Sequence, residues 1–488
     1  MGKLHQTIHD PQSPVLTVQR LWGNPSHLSY LAAALREKYP ADRLHILVAK
    51  RNSGSFTYDG VELGGERVAQ EIEDTLEELG RSGQEIKKLS IVGYSLGGLV
   101  ARYAVGLLHS KGWFDKIEPV NFTTFATPHL GVRTPLLGFH NHLWNVLGAR
   151  TLSMSGRQLF TIDSFRGTGR PLLSVLADRD SIFIRALSKF KNRVLYTNIV
   201  NDRSAVYYTT GVSRIDPFTK PDAVKINYLK GMTLIFRSGE AIVTPLGYEP
   251  IILDPDNPIL PQEPKELPTF YKRLAGSSQT LLTRVPIFAL LLVLIPIGSV
   301  IFLVNSGIQS IRSRQRIRLH EEGKAGIGLG GYRIPLMVQD VRSAVEDAFE
   351  NMNAGQSHEY LPAGTEEAAS PTDISFGARR SSVSARASSR SDGPQTATDG
   401  SEKSLETSDS TTELSRTQSR QPEFPILALT SEQFAMIEAL DDVGFRKFPV
   451  YIHKVGHSHA AIIVRWPRKA FEEGKVVVRH WLEEEFEI

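Results

Sequence analysis

Gly93-Tyr94-Ser95-Leu96-Gly97-Gly98 is the stretch of this 488-residue chain whose residue types and spacing point most directly to chemistry. A G-x-S-x-G between an apolar strand and a helix is a nucleophile elbow. Here the strand reads Leu89–Val92 and the helix reads LVARYAVGLLHS. The turn strains the serine backbone, and the glycines at 93 and 97 are expected to let neighbouring backbone pass close by. Ser95 Oγ then stands above the sheet at the positive end of the next helix, and the Leu96 N–H is aimed at a developing oxyanion. The chain has no cysteine. Thiol nucleophiles, disulfides, Cys-ligated zinc and iron–sulfur clusters are excluded together, so nucleophilic catalysis falls to serine. No metal-ligand spacing or phosphate-binding loop is present, so the expectation is no cofactor and no metal.

The elements that must position such a serine are legible between Val15 and about Asn201. Leu44–Ala49, Leu89–Val92, Phe122–Ala126 and Val194–Val200 are short apolar or β-branched runs, as in parallel strands covered on both faces. Val68, Ile72, Leu76 and Leu79 are spaced for one face of a helix packed on that sheet. Strand–helix alternation implies a doubly wound, mostly parallel α/β sheet. A formal charge of only +3 argues against a nucleic-acid partner.

Four longer motifs then make the chain resemble the fungal serine esterase and lipase family, which includes lipid-droplet phospholipases and monoacylglycerol lipases. They are LWGNPSH (Leu21–His27), RNSGSFTYDGVELGGERVAQEI (Arg51–Ile72), GYSLGGLVARYA (Gly93–Ala104) and FATPHLGV (Phe125–Val132). The resemblance implies an α/β-hydrolase fold and a lipid ester substrate. In that fold the triad runs Ser, Asp/Glu, His. The acid is then expected just past a late strand, where Asn201-Asp202 follows VLYTNIV; the bland reading of Asp202 is an Asx turn. Asp178 and Asp180 precede that strand and are worse placed. The base comes last. The family's H-A-x-I-I tail selects His459, with His457 as runner-up and His453 assigned to a strand. His129 breaks the chain order and reads as structural. Where the family has H-G-L-W-G, this chain has Gln19-Arg20-Leu21-Trp22-Gly23, so Leu21 would supply the second oxyanion N–H and Arg20 adds bulk beside it. Met232–Leu246 looks like an insert relative to the family.

The remaining organisation is compositional. A polar 1–14 has no apolar signal core, so secretion is not expected. A hydrolase core over 15–230, with a lid-like region about 130–190, gives way to a linker or insert at 231–284, Pro- and Asp-rich over 249–268. Val285–Val304 is twenty residues without a charge, about 30 Å if helical, enough for a bilayer core. A basic region at 305–363 carries Arg312, Arg314, Arg316 and Arg318. Serine-rich 364–421 reads as a disordered insert before the last strand. The fold resumes over 422–488, where T-S-E-Q (Thr430–Gln433) is a capping box and Ala460–Val464 is strand-like.

Ser95 and Asp202 precede the apolar segment and His459 follows it, which favours a hairpin or interfacial insertion over a single span. The sequence therefore reads as a serine hydrolase of glycerolipid acyl esters at the cytosolic face of a membrane, lipid droplet or endoplasmic reticulum. The alternative is a catalytically impaired hydrolase fold that serves as a membrane-bound scaffold, favoured by Gln19-Arg20.

Overall fold

The computed structural model describes residues 14–20, 25–132, 153–202, 204–221, 224–229, 251–260, 304–305, 307–320, 322 and 424–488, with backbone alone at 14–20, 25, 26 and 167. All of these fall within one compact unit. Its centre is a six-stranded sheet of β1 (Pro14–Arg20), β2 (His45–Val48), β3 (Lys88–Tyr94), β4 (Glu118–Phe125), β5 (Asn192–Asn198) and β8 (Arg446–Val450). The order is β2-β1-β3-β4-β5-β8, and every neighbouring pair is parallel.

Alternation along the strands divides the core. Ile91 and Leu195 face one buried cluster, with α2 (Val61–Arg81), α3 (Leu96–Ser110) and the helices Ile182–Ser188 and Ser431–Val443. Val92, Val194 and Tyr196 face the other, with α1 (Ser29–Lys38) and the C-terminal helix Glu472–His480. Successive side chains point to opposite faces, so strands that are apolar throughout require helices on both sides. Val68, Ile72, Leu76 and Leu79 are all buried on α2, as their spacing requires.

Two expectations for the later chain need correcting. Ala460–Val464 is not a strand: Ser458–Ala461 is a short helix, and Ile462 and Ile463 are fully buried just beyond it. A brief apolar run satisfies a buried turn as well as a strand, and periodicity cannot separate the two. Nor is the Pro-rich stretch merely a linker. Ile251, Ile252 and Leu253 are buried, Ile252 bridges Val450, and Leu253 N–H donates to the Pro449 carbonyl at 2.9 Å. This segment runs along the end of β8 and joins a small antiparallel pair, β6 (Lys225–Ile226) with β7 (Ile259–Leu260). The proposed insert Met232–Leu246, the apolar 285–303 and the serine-rich 364–421 lie outside the described residues. No helix among the described residues is long and apolar enough to cross a membrane.

The capping box forms. Thr430 Oγ1 accepts from the Gln433 N–H at 3.2 Å, and Gln433 Oε1 accepts from the Thr430 N–H at 3.1 Å. Gln433 Nε2 also donates to the Leu130 carbonyl at 3.2 Å, tying this helix to the loop after β4. Thr430→Ala is expected to cost about 1 kcal/mol, read as a lower urea midpoint at unchanged slope. An unchanged midpoint would show that the cap carries no stability.

Candidate active site

The three strands that matter end on one edge of the sheet. In a parallel α/β sheet that carboxyl edge is where connecting loops can converge on a ligand. Ser95 follows β3, Asp202 lies four residues beyond β5, and His459 lies beyond β8.

Ser95 is held at φ 55°, ψ −134°, a conformation costly for a residue with a Cβ. Its own N–H is committed to the Phe125 carbonyl at 3.0 Å. The close approach that makes this turn feasible is between Gly93 and Gly98: a Cβ on Gly93 would overlap the Gly98 Cα, and one on Gly98 would overlap the Thr127 side chain. Gly98 thus has a packing role beside Gly93 that the sequence reading did not assign it. The second G of the Gly97-Gly98 pair was the available signal. Leu96 is the first residue of α3, so its N–H has no acceptor within the helix and sits at the positive end of the helix dipole. Leu21, the other expected oxyanion donor, lies outside the described residues. The strand before it ends with Arg20 in register with Tyr94.

The structure brings the serine, histidine and aspartate into one hydrogen-bonded chain. Ser95 Oγ lies 3.0 Å from His459 Nε2, and His459 Nδ1 lies 2.8 Å from Asp202 Oδ2. A carboxylate can only accept, so Nδ1 carries the proton and Nε2 is left to accept from the serine. All three residues are buried, His459 to 3% exposure. Asp202 is also an Asx-type turn: Oδ1 accepts from the N–H groups of Ser204 at 3.1 Å and Ala205 at 2.8 Å. Asn198 Nδ2 donates to Oδ2 at 2.8 Å. One oxygen of Asp202 thus closes the Asx turn, while the other faces His459.

Contacts that sequence spacing could not reveal place His459. Tyr94 donates its hydroxyl to the His459 carbonyl at 2.6 Å, and the two rings lie 5.1 Å apart. Ser458 Oγ donates to the Val200 carbonyl at 2.8 Å, joining the loop of His459 to that of Asp202. Glu473 accepts from the N–H groups of His453 and Lys454 at 2.9 and 3.0 Å. His453 follows β8, which ends at Val450, so it is not a strand residue as expected. His457, the alternative base, is the residue before the short helix that carries His459. Asp178 accepts from Arg170 and has no place in the chain of three.

His129 is fully buried elsewhere, with Nε2 3.0 Å from Thr124 Oγ1 and Nδ1 3.5 Å from Arg102 Nη1. Burial first, and then the neighbouring Arg102 charge, hold its pKa well below the usual range. Burial likewise pushes the Arg102 guanidinium down to about 9. Neutral His129 then accepts from Arg102, a structural pairing that links α3 to the loop after β4. Among the described residues no cluster of His, Asp and Glu is arranged to hold a metal ion.

Comparison with known proteins is consistent with this geometry. Residues 10–215 match the family model described as Putative serine esterase (DUF676). The chain is similar to Putative lipase ROG1 of Saccharomyces cerevisiae, 30% identical over 237 residues that span 42% of this chain and 33% of that protein. It is similar to Putative lipase C4A8.10 of Schizosaccharomyces pombe, 31% identical over 192 residues, 38% of this chain and 24% of the other. Putative lipase YDL109C of Saccharomyces cerevisiae is 31% identical over 179 residues, 36% and 26% respectively. The matches span a third or less of the length of these relatives.

Proposed function

We propose that this chain, esterase-like in sequence over residues 10–215, is a serine hydrolase that cleaves acyl esters of glycerolipids. The observation that carries the reading is the Ser95–His459–Asp202 hydrogen-bonded chain at the carboxyl edge of the sheet. Ser95 attacks the ester carbonyl while His459 Nε2 takes its proton, and Asp202 stabilises the imidazolium that forms. The tetrahedral oxyanion develops toward the Leu96 N–H. His459 then returns the proton to the leaving alcohol, and the acyl-enzyme is released by water through the same relay.

A lipid substrate fits the word lipase in the relatives' names and the uncharged 285–304. The site's connectivity bears on topology. Residues on both sides of that segment meet within hydrogen-bond distance, so a single crossing would separate them. We therefore place both flanks on one face, with the apolar segment entering and leaving the same monolayer or leaflet. The cytosolic face of a membrane or a lipid droplet suits a cysteine-free chain.

Labelling with a fluorophosphonate probe tests the chemistry. The probe should attach to the peptide containing Ser95, and a panel of phospholipid and monoacylglycerol substrates should then define the head group. Absence of label at Ser95 in folded protein would overturn the hydrolase reading in favour of a scaffold on a hydrolase fold.

A further inference from the structure

The basic run after the apolar segment does not behave as a uniform charged collar. Residues 307–320 are helical, as are 304 and 305. At 100° per residue, Gln309, Ser313 and Arg316 share one face and all three are buried, with Ser313 and Arg316 bonded to the core. Arg316 is the anchor. Its Nη2 and Nε reach Asp59 at 2.5 and 2.9 Å, and Nη2 also donates to the Ser55 carbonyl at 3.0 Å. Arg67 holds the same fully buried carboxylate at 2.7 Å. Ser313 Oγ donates to the Tyr58 carbonyl at 3.2 Å, and His320 pairs with Glu66 one turn further on.

The N-terminal part of the opposite face is apolar and open, and beyond it the same stripe carries exposed Gln315 and Arg318, the latter paired with Glu322 at 2.8 Å. Val304, Ile308 and Ile311, at i, i+4 and i+7, are 58%, 45% and 67% exposed. They make up three of the five exposed large apolar side chains among the described residues. A helix packed on a protein in water normally buries its apolar stripe and exposes its polar one. Here the polarity is reversed: ionic and hydroxyl groups face the protein and isoleucines face away. Exposed Arg312 and Arg314 lie about 80° to either side of the stripe, where long cationic side chains can reach phosphates while the stripe sits lower. In sequence Val304 follows directly on the uncharged 285–303.

We propose that this helix is a lipid-contacting element, docked on the hydrolase core through the Asp59 clasp so that Val304, Ile308 and Ile311 enter an anionic lipid surface and Arg312, Arg314 and Arg318 meet its headgroups. The clasp fixes the angle between the lipid plane and the core that carries Ser95. The proposal rests on the lipid-surface reading above, but its test is independent of hydrolysis.

The absence of native cysteine allows a single reporter thiol. Cysteine is placed at 308 or 311 in the full chain, and at exposed Ser82 as a control, and each is labelled with a polarity-sensitive fluorophore. Adding phosphatidylcholine vesicles that contain phosphatidylserine should shift the 308 and 311 emission to the blue and leave Ser82 unchanged. I308Q with I311Q should weaken vesicle partition about tenfold. Neutral vesicles should bind on the order of 10²-fold more weakly, since three arginines near the surface each contribute about 1 kcal/mol. Co-sedimentation with no shift at 308 or 311 would overturn the proposal, because the 285–303 segment would then anchor the protein alone. A concentration-dependent shift without vesicles would also overturn it, identifying a second copy of the chain as the occupant. Loss of Ser95 labelling with the shift retained would sink the hydrolase reading and leave this one standing.

Discussion

Alanine at His459 is expected to lower kcat toward a short-chain p-nitrophenyl ester by about 10⁴–10⁶-fold, alanine at Ser95 by as much, and the two together by no more. The reason is geometric. Each residue acts only through the other, across the 3.0 Å Oγ···Nε2 contact, so removing either removes the proton relay whole. Asp202→Asn should cost about 10⁴-fold by a different route. Its Oδ1 is fixed by the Ser204 and Ala205 N–H groups, so the amide nitrogen would replace Oδ2 and face His459 Nδ1. That nitrogen donates. The imidazole would have to shift its proton to Nε2, where it can no longer take the serine's. The same nitrogen would also confront Asn198 Nδ2, two donors without an acceptor between them. Steady-state rates on folded variants, checked by far-UV circular dichroism, test the set. Activity within tenfold of wild type for His459→Ala would remove this histidine from the mechanism.

The second large effect concerns stability rather than rate. Asp216 is buried and accepts from the Phe218 N–H at 3.1 Å, and burial raises its pKa from 3.8 to about 7 against that single lowering contact. The folded state therefore keeps a proton that the unfolded chain has released between about pH 4 and pH 7. Stability from this group is full below the unfolded pKa and is lost as pH rises through the folded one. Asparagine retains the acceptor without the charge, so Asp216→Asn should stabilise by on the order of 4 kcal/mol at pH 8 and little at pH 4. His480 works the other way. Burial first, then Arg446, lowers it to about 4, so its contribution is present above 6.5 and is lost as pH falls toward 4. Relative to wild type, the variant should therefore gain stability as pH rises from 4 to 7. Urea midpoints at pH 4, 6 and 8 measure this, and equal shifts at all three would exclude titration of Asp216 as the cause.

What was legible in advance follows the range of the forces involved. Ser95 was visible because a strained elbow needs glycines within a few residues, and β2 to β5 because a sheet covered on both faces needs continuous apolar runs. Asp202 could be assigned from chain order and its position after a strand, whereas among the three late histidines only the resemblance to the family's H-A-x-I-I tail singled out His459. Tyr94 could not, since its partner is a backbone carbonyl 365 positions away. The Arg316–Asp59 pair was hidden for the same reason: a buried ion pair across 257 positions leaves no local pattern, and four spaced arginines looked alike until one of them proved to be buried. Ala460–Val464 misled because deep burial imposes the same apolar composition on a turn as on a strand.

The parallel pairing of β5 with β8 also sets an order of events during synthesis. These strands are joined across about 250 residues, and for a flexible connection each doubling of length adds only about 0.6 kcal/mol to closure. Long insertions at this point are thus cheap at equilibrium but slow to close, because the contacts that reward closure are so distant in sequence. A ribosome-bound chain that has emerged as far as β5 already holds Ser95 but lacks His459. On the proposed mechanism the serine has no proton acceptor until residues 446–459 arrive, so the relay is completed only at the end of synthesis.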